Sequence, residues 1–230
     1  MADSFAGFPK EFFAFYRELN NNNNREWFTE NKGRYLDYVV DPSLEFIAAM
    51  EKPLKKISPY FLAVAKRSRG SLMRIYRDVR FSKNKLPYKT NLGIQFRHEM
   101  GKDVHAPGFY FHYSLDETFL GAGVWCPKND RLNLIREGIS DNAARWKRTT
   151  RSKKFRSQYN LAGLSLKRPP RGYSAEDKLI EDLKRKDHIA VSPIDSTEMR
   201  SAEIVPLLAQ RIHLAMPYVR FLCDSLRLPS

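Results

Sequence analysis

The sequence predicts an α+β fold, in which a mostly antiparallel sheet, made of central strands and a β-hairpin, packs against N-terminal and C-terminal helices. Apolar residues recur at helical spacing before residue 58 and after residue 196, and they alternate with polar residues between residues 72 and 125. The length of 230 residues, with 42% hydrophobic side chains, fits one domain with a sizeable core. We expect N-terminal helices at about 8–58, the sheet at about 72–125, a basic helical and extended segment at about 129–185, and a C-terminal helix at about 196–226.

The N-terminal segment combines aromatic residues at helical spacing with a run of asparagines at 20–24. A first helix is predicted to begin near Pro9 and to end at the asparagines, which tolerate turn and cap conformations. Asn23, followed three residues later by Glu26, matches a capping box and predicts the start of a second helix. Asp41 predicts the start of a third helix.

Residues 72–99 contain two predicted strands whose side chains separate by face. Apolar residues, from Met73 to Phe81 and from Leu92 to Phe96, occupy alternate positions and are expected to be buried against helices. The positions between them carry arginines, a tyrosine and amides, and a loop rich in lysine joins the strands. This cationic and aromatic face predicts a site for an anionic ligand. The ligand-binding candidates are Arg74, Tyr76, Arg80, Lys85, Tyr88, Lys89, Arg97 and Tyr110.

Residues 108–125 are predicted to form a β-hairpin. The expected register pairs His112 with Gly121 and Tyr110 with Gly123, while the phenylalanines between them face the core. Tyr110 and His112 then point away from the core, toward the cationic face of the central strands. The two glycines leave an open floor beside them, where a ligand can approach the backbone.

Two residues of these strands are candidates for acid–base catalysis, namely His112 and Asp78. The alternatives are a hydrogen-bonded sheet histidine for His112 and a structural ion pair for Asp78 with its neighbouring arginines. Arg77 falls by alternation on the apolar face, so we expect it to be partnered there in a structural ion pair. No set of residues has metal-ligand spacing, so no metal and no cofactor is predicted.

Two short segments hold the excess of positive charge in this chain, whose net charge is +14. Residues 66–105 carry 11 basic and 3 acidic side chains, and residues 145–171 carry 10 basic side chains and no acidic one. We predict that both segments share one surface and form a continuous groove for nucleic acid. In the second segment the candidates are Arg145, Trp146, Arg148, Arg151, Lys153, Lys154, Arg168 and Arg171. Its aromatic residues can stack on bases, or they can pack inward as the apolar face of one helix running from about 141 to 159.

The cysteines and the hydropathy indicate where such a protein works. Cys126 and Cys223 are far apart and match no metal-binding or disulfide framework, which is typical of a reducing compartment. No stretch approaches the roughly 18 consecutive apolar residues of a membrane span. We therefore expect a cytoplasmic protein that does not bind membranes.

Several motifs in one order resemble a known family. They are FAGFPKEFFAFYREL, NNREWF, RIYRDVRFSKNKLPYK, PGFYFHYS with FLGAGVW, and LKRPPRGY. This combination resembles the bacterial and fungal family named domain of unknown function 2461, from about residue 5 to about residue 191. The resemblance implies no particular activity. It places Arg77, Asp78, Arg80, Phe81, Pro87, Tyr88 and Lys89 on the family's central motif, with Asn84 where the family often has aspartate.

Three functions remain open at this point. The leading hypothesis is a protein that binds a phosphate-rich ligand, either nucleic acid or a nucleotide, on its basic and aromatic sheet face. The second is an enzyme for a small anionic substrate, with an Arg/Lys clamp and with His112 or Asp78 as acid or base. The third is an adaptor whose basic surface docks an acidic protein.

Overall fold

The computed structural model describes residues 5–101 and 106–230. Its N-terminal helices are α1 (Lys10–Asn21), α2 (Arg25–Glu30), α3 (Lys32–Tyr35) and α4 (Asp41–Ile57), and a π-helical turn (Leu36–Val40) joins the last two. Its strands are β1 (Phe61–Leu62), β2 (Leu92–His98), β3 (Gly108–Tyr113), β4 (Thr118–Val124), β5 (Asn160–Ala162) and β6 (His188–Pro193). Its later helices are α5 (Asn129–Asp141), α6 (Ala143–Arg151), α7 (Lys153–Arg156), α8 (Ile180–Leu183), a 3-10 turn (Ser196–Arg200) and α9 (Ile204–Ser225).

The strands form one antiparallel sheet in the order β1-β2-β3-β4-β6-β5. Strands β2, β3 and β4 follow the chain, and β6 returns from the helical segment to pair with β4. The predicted α+β class, with a mostly antiparallel sheet between helical segments, is confirmed.

The helices pack on one face of the sheet, which we call the helix face. Tyr113 of β3 contacts Phe12 of α1 with ring centroids 5.1 Å apart, and Phe111 contacts Phe46 of α4 at 5.5 Å. Farther along the sheet, His188 of β6 lies 6.0 Å from Trp146 of α6. The aromatic side chains of these pairs other than His188 belong to a single buried cluster that includes residues of α1, α4 and α9. The alternate residues of the strands point to the opposite face, which we call the open face.

The N-terminal helices form where the sequence predicts them, but two of the predicted caps are wrong. The side chain of Asn24, not of Asn23, accepts the backbone N–H of Trp27 at 2.9 Å and caps α2. Asp41 has helical dihedral angles and continues the helix from the preceding π-helical turn. Its carboxylate instead binds Arg67 at 2.7 Å, so the residue serves as an ion-pair partner and not as a cap.

The first predicted central strand is an irregular hairpin, which we call the basic hairpin (residues 74–91). Its two arms are joined by one isolated bridge, between Tyr76 and Tyr88, and by backbone bonds on either side of it. Pro87 has no N–H to donate to a regular ladder of cross-strand bonds. Phe81, predicted to be buried, is 95% exposed near the tip.

The β3–β4 hairpin forms with a register two residues from the predicted one. Tyr110 pairs with Gly121 and His112 pairs with Phe119, because the loop contains the four residues 114–117. A shift of two keeps every side chain on its predicted face. Tyr110 and His112 therefore point to the open face, as predicted.

The segments after the sheet are shorter than the sequence predicts. The helix expected from about 141 to 159 is interrupted at Ser152, whose side chain accepts the N–H of Phe155 and starts α7. Near the C-terminus, Asp195 caps only the short 3-10 turn, and α9 begins at Ile204. No helix within the described ranges is both long and apolar enough to cross a bilayer.

The fully buried His188 predicts a pH dependence of stability. Burial lowers its pKa to about 3, and the positive charges of Arg185 and Arg136 contribute. Between about pH 6.5 and pH 3 the unfolded chain therefore binds a proton that the folded chain rejects. Wild-type stability should fall in this range by on the order of 1 kcal/mol per pH unit from this residue alone.

The substitution His188→Leu should flatten this acid-side loss. The measurement is the free energy of unfolding in urea at several pH values for both proteins. Parallel pH profiles for wild type and variant would contradict the prediction, whatever the variant's absolute stability.

Candidate functional site

The open face carries a cavity of about 610 Å³, which we call the sheet cleft. Its floor is the sheet, and the basic hairpin forms one wall. The lining residues are Met73, Arg77, Asp78, Lys89, Asn91, Gln95, Ala106, Gly108, Phe109, Tyr110, His112, Phe119, Gly121, Ala122, Gly123, Trp125, Ile189 and Val191. The volume lies within the usual range for a small-molecule site.

Tyr110 and His112 both line the cleft and contact each other. The Tyr110 hydroxyl and His112 Nδ1 are 3.1 Å apart and hydrogen-bonded, and the His112 ring stacks on Phe119 with centroids 4.7 Å apart. The Tyr110 ring lies over Gly93, where a Cβ would come within 2.8 Å of the hydroxyl oxygen. At Gly121 a Cβ would meet Tyr110 and Phe119 only at ordinary van der Waals distances of 3.6 Å and more.

Burial sets the protonation states of this pair. It lowers the pKa of His112, although the nearby carboxylate of Glu117 opposes the shift. It raises the pKa of Tyr110 to about 12. Near pH 7 the imidazole is therefore neutral and the phenol is protonated. The hydrogen-bonded pair then carries no net charge and has both a donor and an acceptor.

The basic hairpin brings two cations to the wall of the cleft, Arg77 and Lys89. Both side chains are half-buried, and within the described residues neither has a carboxylate oxygen within 4 Å. Burial lowers the pKa of Lys89, and the charge of Arg74 lowers it further. An anion in the cleft would relieve this unfavourable concentration of positive charge.

Asp78 and Arg80, both candidates from the sequence, bind each other at the mouth of the cleft. The Arg80 guanidinium donates to both carboxylate oxygens at 3.0 and 2.7 Å, and the Arg80 backbone N–H donates at 3.2 Å. These bonds lower the pKa of Asp78 to about 2. Asp78 is therefore an ionised, occupied carboxylate, which favours the ion-pair interpretation over an acid–base role.

The N-terminal helices hold the basic hairpin in place through Tyr88. The Asn23 side chain donates to the Tyr88 carbonyl at 3.0 Å and accepts its N–H at 3.1 Å. The Tyr88 ring is 6% exposed and stacks on Phe28 with centroids 4.0 Å apart. Tyr76 packs on the same two rings. Tyr76 and Tyr88, predicted as ligand contacts, therefore hold the hairpin against α2 and do not line the cleft.

Three further candidates of the first basic segment lie outside the lining. Arg74 is exposed and acts on the cleft through its charge. Lys85 is exposed, and its ammonium donates to the Val79 carbonyl at 2.9 Å near the hairpin tip. Arg97 lies in β2, between Leu62 of β1 and Gly108 of β3.

The second basic segment does not join the first in one groove, contrary to the prediction. Strand β5 is the last strand on one side of the sheet and β2 is near the other, roughly 19 Å away at the usual strand spacing. Helix α6 lies on the helix face, because Trp146 packs on His188, Tyr218 and Phe221. Residues 102–105 of the first segment lie outside the described residues.

The individual side chains of the second segment explain why it does not form a nucleic-acid groove with the first. Trp146 has 0% exposure and cannot stack on a base. Arg145 binds Asp224 at 2.5 Å and lies over the Phe221 ring, and Arg151 binds Asp182 at 3.3 Å. Arg151 is nevertheless exposed, and so are the candidates Arg148, Lys153, Lys154, Arg168 and Arg171.

Sequence reasoning missed several residues of the cleft. Arg77, predicted to form an ion pair on the apolar face, faces the cleft because the irregular hairpin does not keep strand alternation. Gln95 could have been found, since it shares the open face with Tyr110, its partner across the β2–β3 ladder. Ile189 and Val191 depend on the pairing of β6 with β4, for which the sequence carries no local signal.

The residues present do not suggest a metal site. Within residues 5–101 and 106–230 there is no cluster of three or more His, Cys, Asp or Glu side chains that could hold a metal ion. The polar side chains that line the cleft are mainly cations, amides and the hydroxyl–imidazole pair, and the Asp78 carboxylate among them is bound by Arg80, so the cleft suits an anion better than a cation.

The comparison with protein families agrees with the sequence motifs. Residues 11–221 match the model of a family described as conserved hypothetical protein (DUF2461). The chain belongs to the DUF2461 family. No curated protein and no solved structure matches the chain. The basic hairpin, the β3–β4 hairpin and β6 all lie within the matched range.

The Asn23–Tyr88 contact predicts a large effect from a single asparagine in the 20–24 run. Asn23→Ala removes two hydrogen bonds to a buried backbone and should lower the free energy of unfolding by about 1–3 kcal/mol. Asn21→Ala, at an exposed position in the same run, should change it by no more than about 0.5 kcal/mol. Urea denaturation of both variants measures the difference, and equal effects would contradict the role assigned to Asn23.

Proposed function

We propose that the sheet cleft binds a small phosphate-bearing molecule, with a nucleotide as the leading ligand class. The observation that carries this proposal is Lys89, a half-buried ammonium with a lowered pKa that faces a ligand-sized cavity beside Arg77. Burying a cation without a counter-ion is unfavourable, and an anionic ligand supplies that counter-ion. Arg77 and Lys89 would contact the phosphate.

The rest of the cleft favours a ligand with a flat or apolar body. Phe119 and Trp125 line it together with the aliphatic side chains of Ile189 and Val191. Gly121 lines the cleft without a side chain, so a ring could lie against the sheet at this position. The Gln95 carboxamide, on the same floor, has both a donor and an acceptor with which to recognise a base edge.

A small molecule fits these features better than the other two hypotheses. A long nucleic acid would need a continuous basic surface, and the helical part of the second basic segment lies on the opposite face of the sheet. An adaptor for an acidic protein needs no concave site, whereas the first basic segment forms one wall of a cavity. Both observations support a pocket-bound ligand.

Removing the charge of Lys89 should weaken binding while leaving the fold intact. Lys89→Gln should lower the affinity for adenosine monophosphate by about ten- to a hundredfold, since a charge-assisted hydrogen bond contributes about 1.5–3 kcal/mol. Isothermal titration calorimetry measures the affinity, with adenosine and ribose 5-phosphate as fragments that lack the phosphate or the base. The complete nucleotide should bind more tightly than either fragment.

The matched control is Lys85→Gln, which removes the same charge from the tip of the same hairpin. This variant should bind like wild type, because Lys85 does not line the cleft. Equal losses in both variants would indicate a diffuse electrostatic effect. If no phosphate compound binds wild type at millimolar concentration, the proposed ligand class is wrong.

A second candidate function is acid–base catalysis on the bound ligand. It is favoured by the Tyr110–His112 hydrogen bond, which orients a neutral imidazole and leaves its Nε2 for the ligand. Asp78 is the weaker candidate, because Arg80 already binds its carboxylate.

Catalysis predicts a specific effect of His112→Gln. We expect this variant to bind the nucleotide within about threefold of wild type, since its amide retains hydrogen-bonding capacity, and to lose at least about 100-fold in turnover. Phosphorus NMR of wild type incubated with a panel of phosphate esters detects the turnover. Binding without conversion in wild type would leave a binding protein and exclude this role for His112.

A further inference from the structure

The LKRPPRGY motif forms a second cavity that the sheet cleft does not include. Residues 164–166 pair with residues 184–186 through backbone bonds, and two prolines stiffen the chain beyond them. Pro170 to Tyr173 then form a turn in which the Tyr173 N–H donates to the Pro170 carbonyl at 3.2 Å. Gly172 has φ of +90°, which side-chain-bearing residues adopt rarely, so the turn depends on glycine.

This turn faces helix α5 across a cavity of about 510 Å³, which we call the strap cavity. Arg171 and Tyr173 line it from the turn, and Asn133 and Arg136 line it from α5. The Tyr173 side chain is half-buried, and its pKa is raised by burial, so its hydroxyl remains protonated and can donate a hydrogen bond.

Arg136 is a buried cation without an anionic partner. Its side chain is 7% exposed, and it donates to the Leu183 carbonyl at 2.8 Å, to Asn133 Oδ1 at 3.3 Å and to the Arg185 carbonyl at 3.5 Å. All three acceptors are neutral. In the part of the chain that the structure describes, no carboxylate lies within 4 Å of Arg136 or of Arg171.

The charge of the Arg136 guanidinium is therefore not neutralised by any described carboxylate, and its N–H groups can donate further hydrogen bonds. A guanidinium has five N–H donors, and two of the three hydrogen bonds that Arg136 donates are long, at 3.3 and 3.5 Å. Buried arginines are normally paired, because an uncompensated buried charge is costly. Glu137 lines the cavity too, but its side chain is exposed and forms no ion pair with either arginine.

We propose that the strap cavity is a second anion site, which takes a phosphate group between Arg136 and Arg171. Two guanidinium groups, one from each wall, match a doubly charged tetrahedral anion better than a singly charged carboxylate. The Tyr173 hydroxyl supplies a further donor. This proposal uses different residues from the sheet cleft and does not depend on the function proposed for that cleft.

The test is a titration of the full-length ¹⁵N-labelled protein with inorganic phosphate, followed by two-dimensional NMR. The backbone amides of Gly172 and Tyr173 report on the strap cavity, and those of Gly121 and His112 report on the sheet cleft. We expect saturable shifts at Gly172 and Tyr173. Arg171→Gln should weaken that saturation by about tenfold, because one charge-assisted bond is lost.

Two further variants complete the experiment. Lys167→Gln removes an exposed cation of the LKRPPRGY motif that does not line the strap cavity, and it should leave phosphate binding at Gly172 unchanged. Glu137→Gln removes the carboxylate from the cavity and should tighten binding. The proposal is overturned if the amides of Gly172 and Tyr173 show no saturable shift, or if Arg171→Gln and Lys167→Gln bind phosphate with the same affinity. Weaker binding in Glu137→Gln would also overturn it.

Discussion

The pleat of strand β3 sends Phe109 and Phe111 to the helices and Tyr110 and His112 to the opposite face. Because the two phenylalanines are almost completely buried, the register of this strand cannot slip by one residue without exposing them. The helices cover only the face with the phenylalanines, so the other face remains available as the floor of a cavity. The placement of Tyr110 and His112 in the cleft follows from this constraint.

The cationic wall depends on a different kind of contact. The basic hairpin has few cross-strand bonds of its own, and an irregular two-stranded segment of this kind is marginal by itself. The Asn23 carboxamide and the Phe28 ring fix it at Tyr88, one residue before Lys89. The N-terminal helices thus position the ammonium that faces the cleft, although none of their residues lines it.

The two basic segments use their charge in different ways. In the first segment, Arg77 and Lys89 line a cavity, and no carboxylate oxygen of the described residues lies within 4 Å of either cation. In the second, Arg145 and Arg151 bind Asp224 and Asp182, and the charge of Arg171 faces the strap cavity. Clustering along the chain therefore did not translate into one surface, because the sheet separates the segments and acidic residues distant in sequence neutralise part of the second.

The sequence by itself determined the α+β class, the faces of β3 and β4, and the selection of Tyr110, His112 and Lys89, which line the cleft. These features depend on local periodicity and on the burial of large apolar side chains, which are encoded within a few residues. The two-residue shift of the hairpin changed the cross-strand partners but kept every face, because the period of a strand is two.

Only the tertiary structure decided which polar residues line the cleft and which serve the fold. In the sequence, Tyr88 and Trp146 cannot be told from aromatic residues that contact a ligand, but helices distant in sequence bury them. Arg77 reaches the cleft because the basic hairpin abandons strand alternation, and Ile189 and Val191 reach it because β6 returns to pair with β4. Such outcomes depend on contacts between residues far apart in the chain, and the free energies of those contacts exceed the local preferences on which sequence patterns depend.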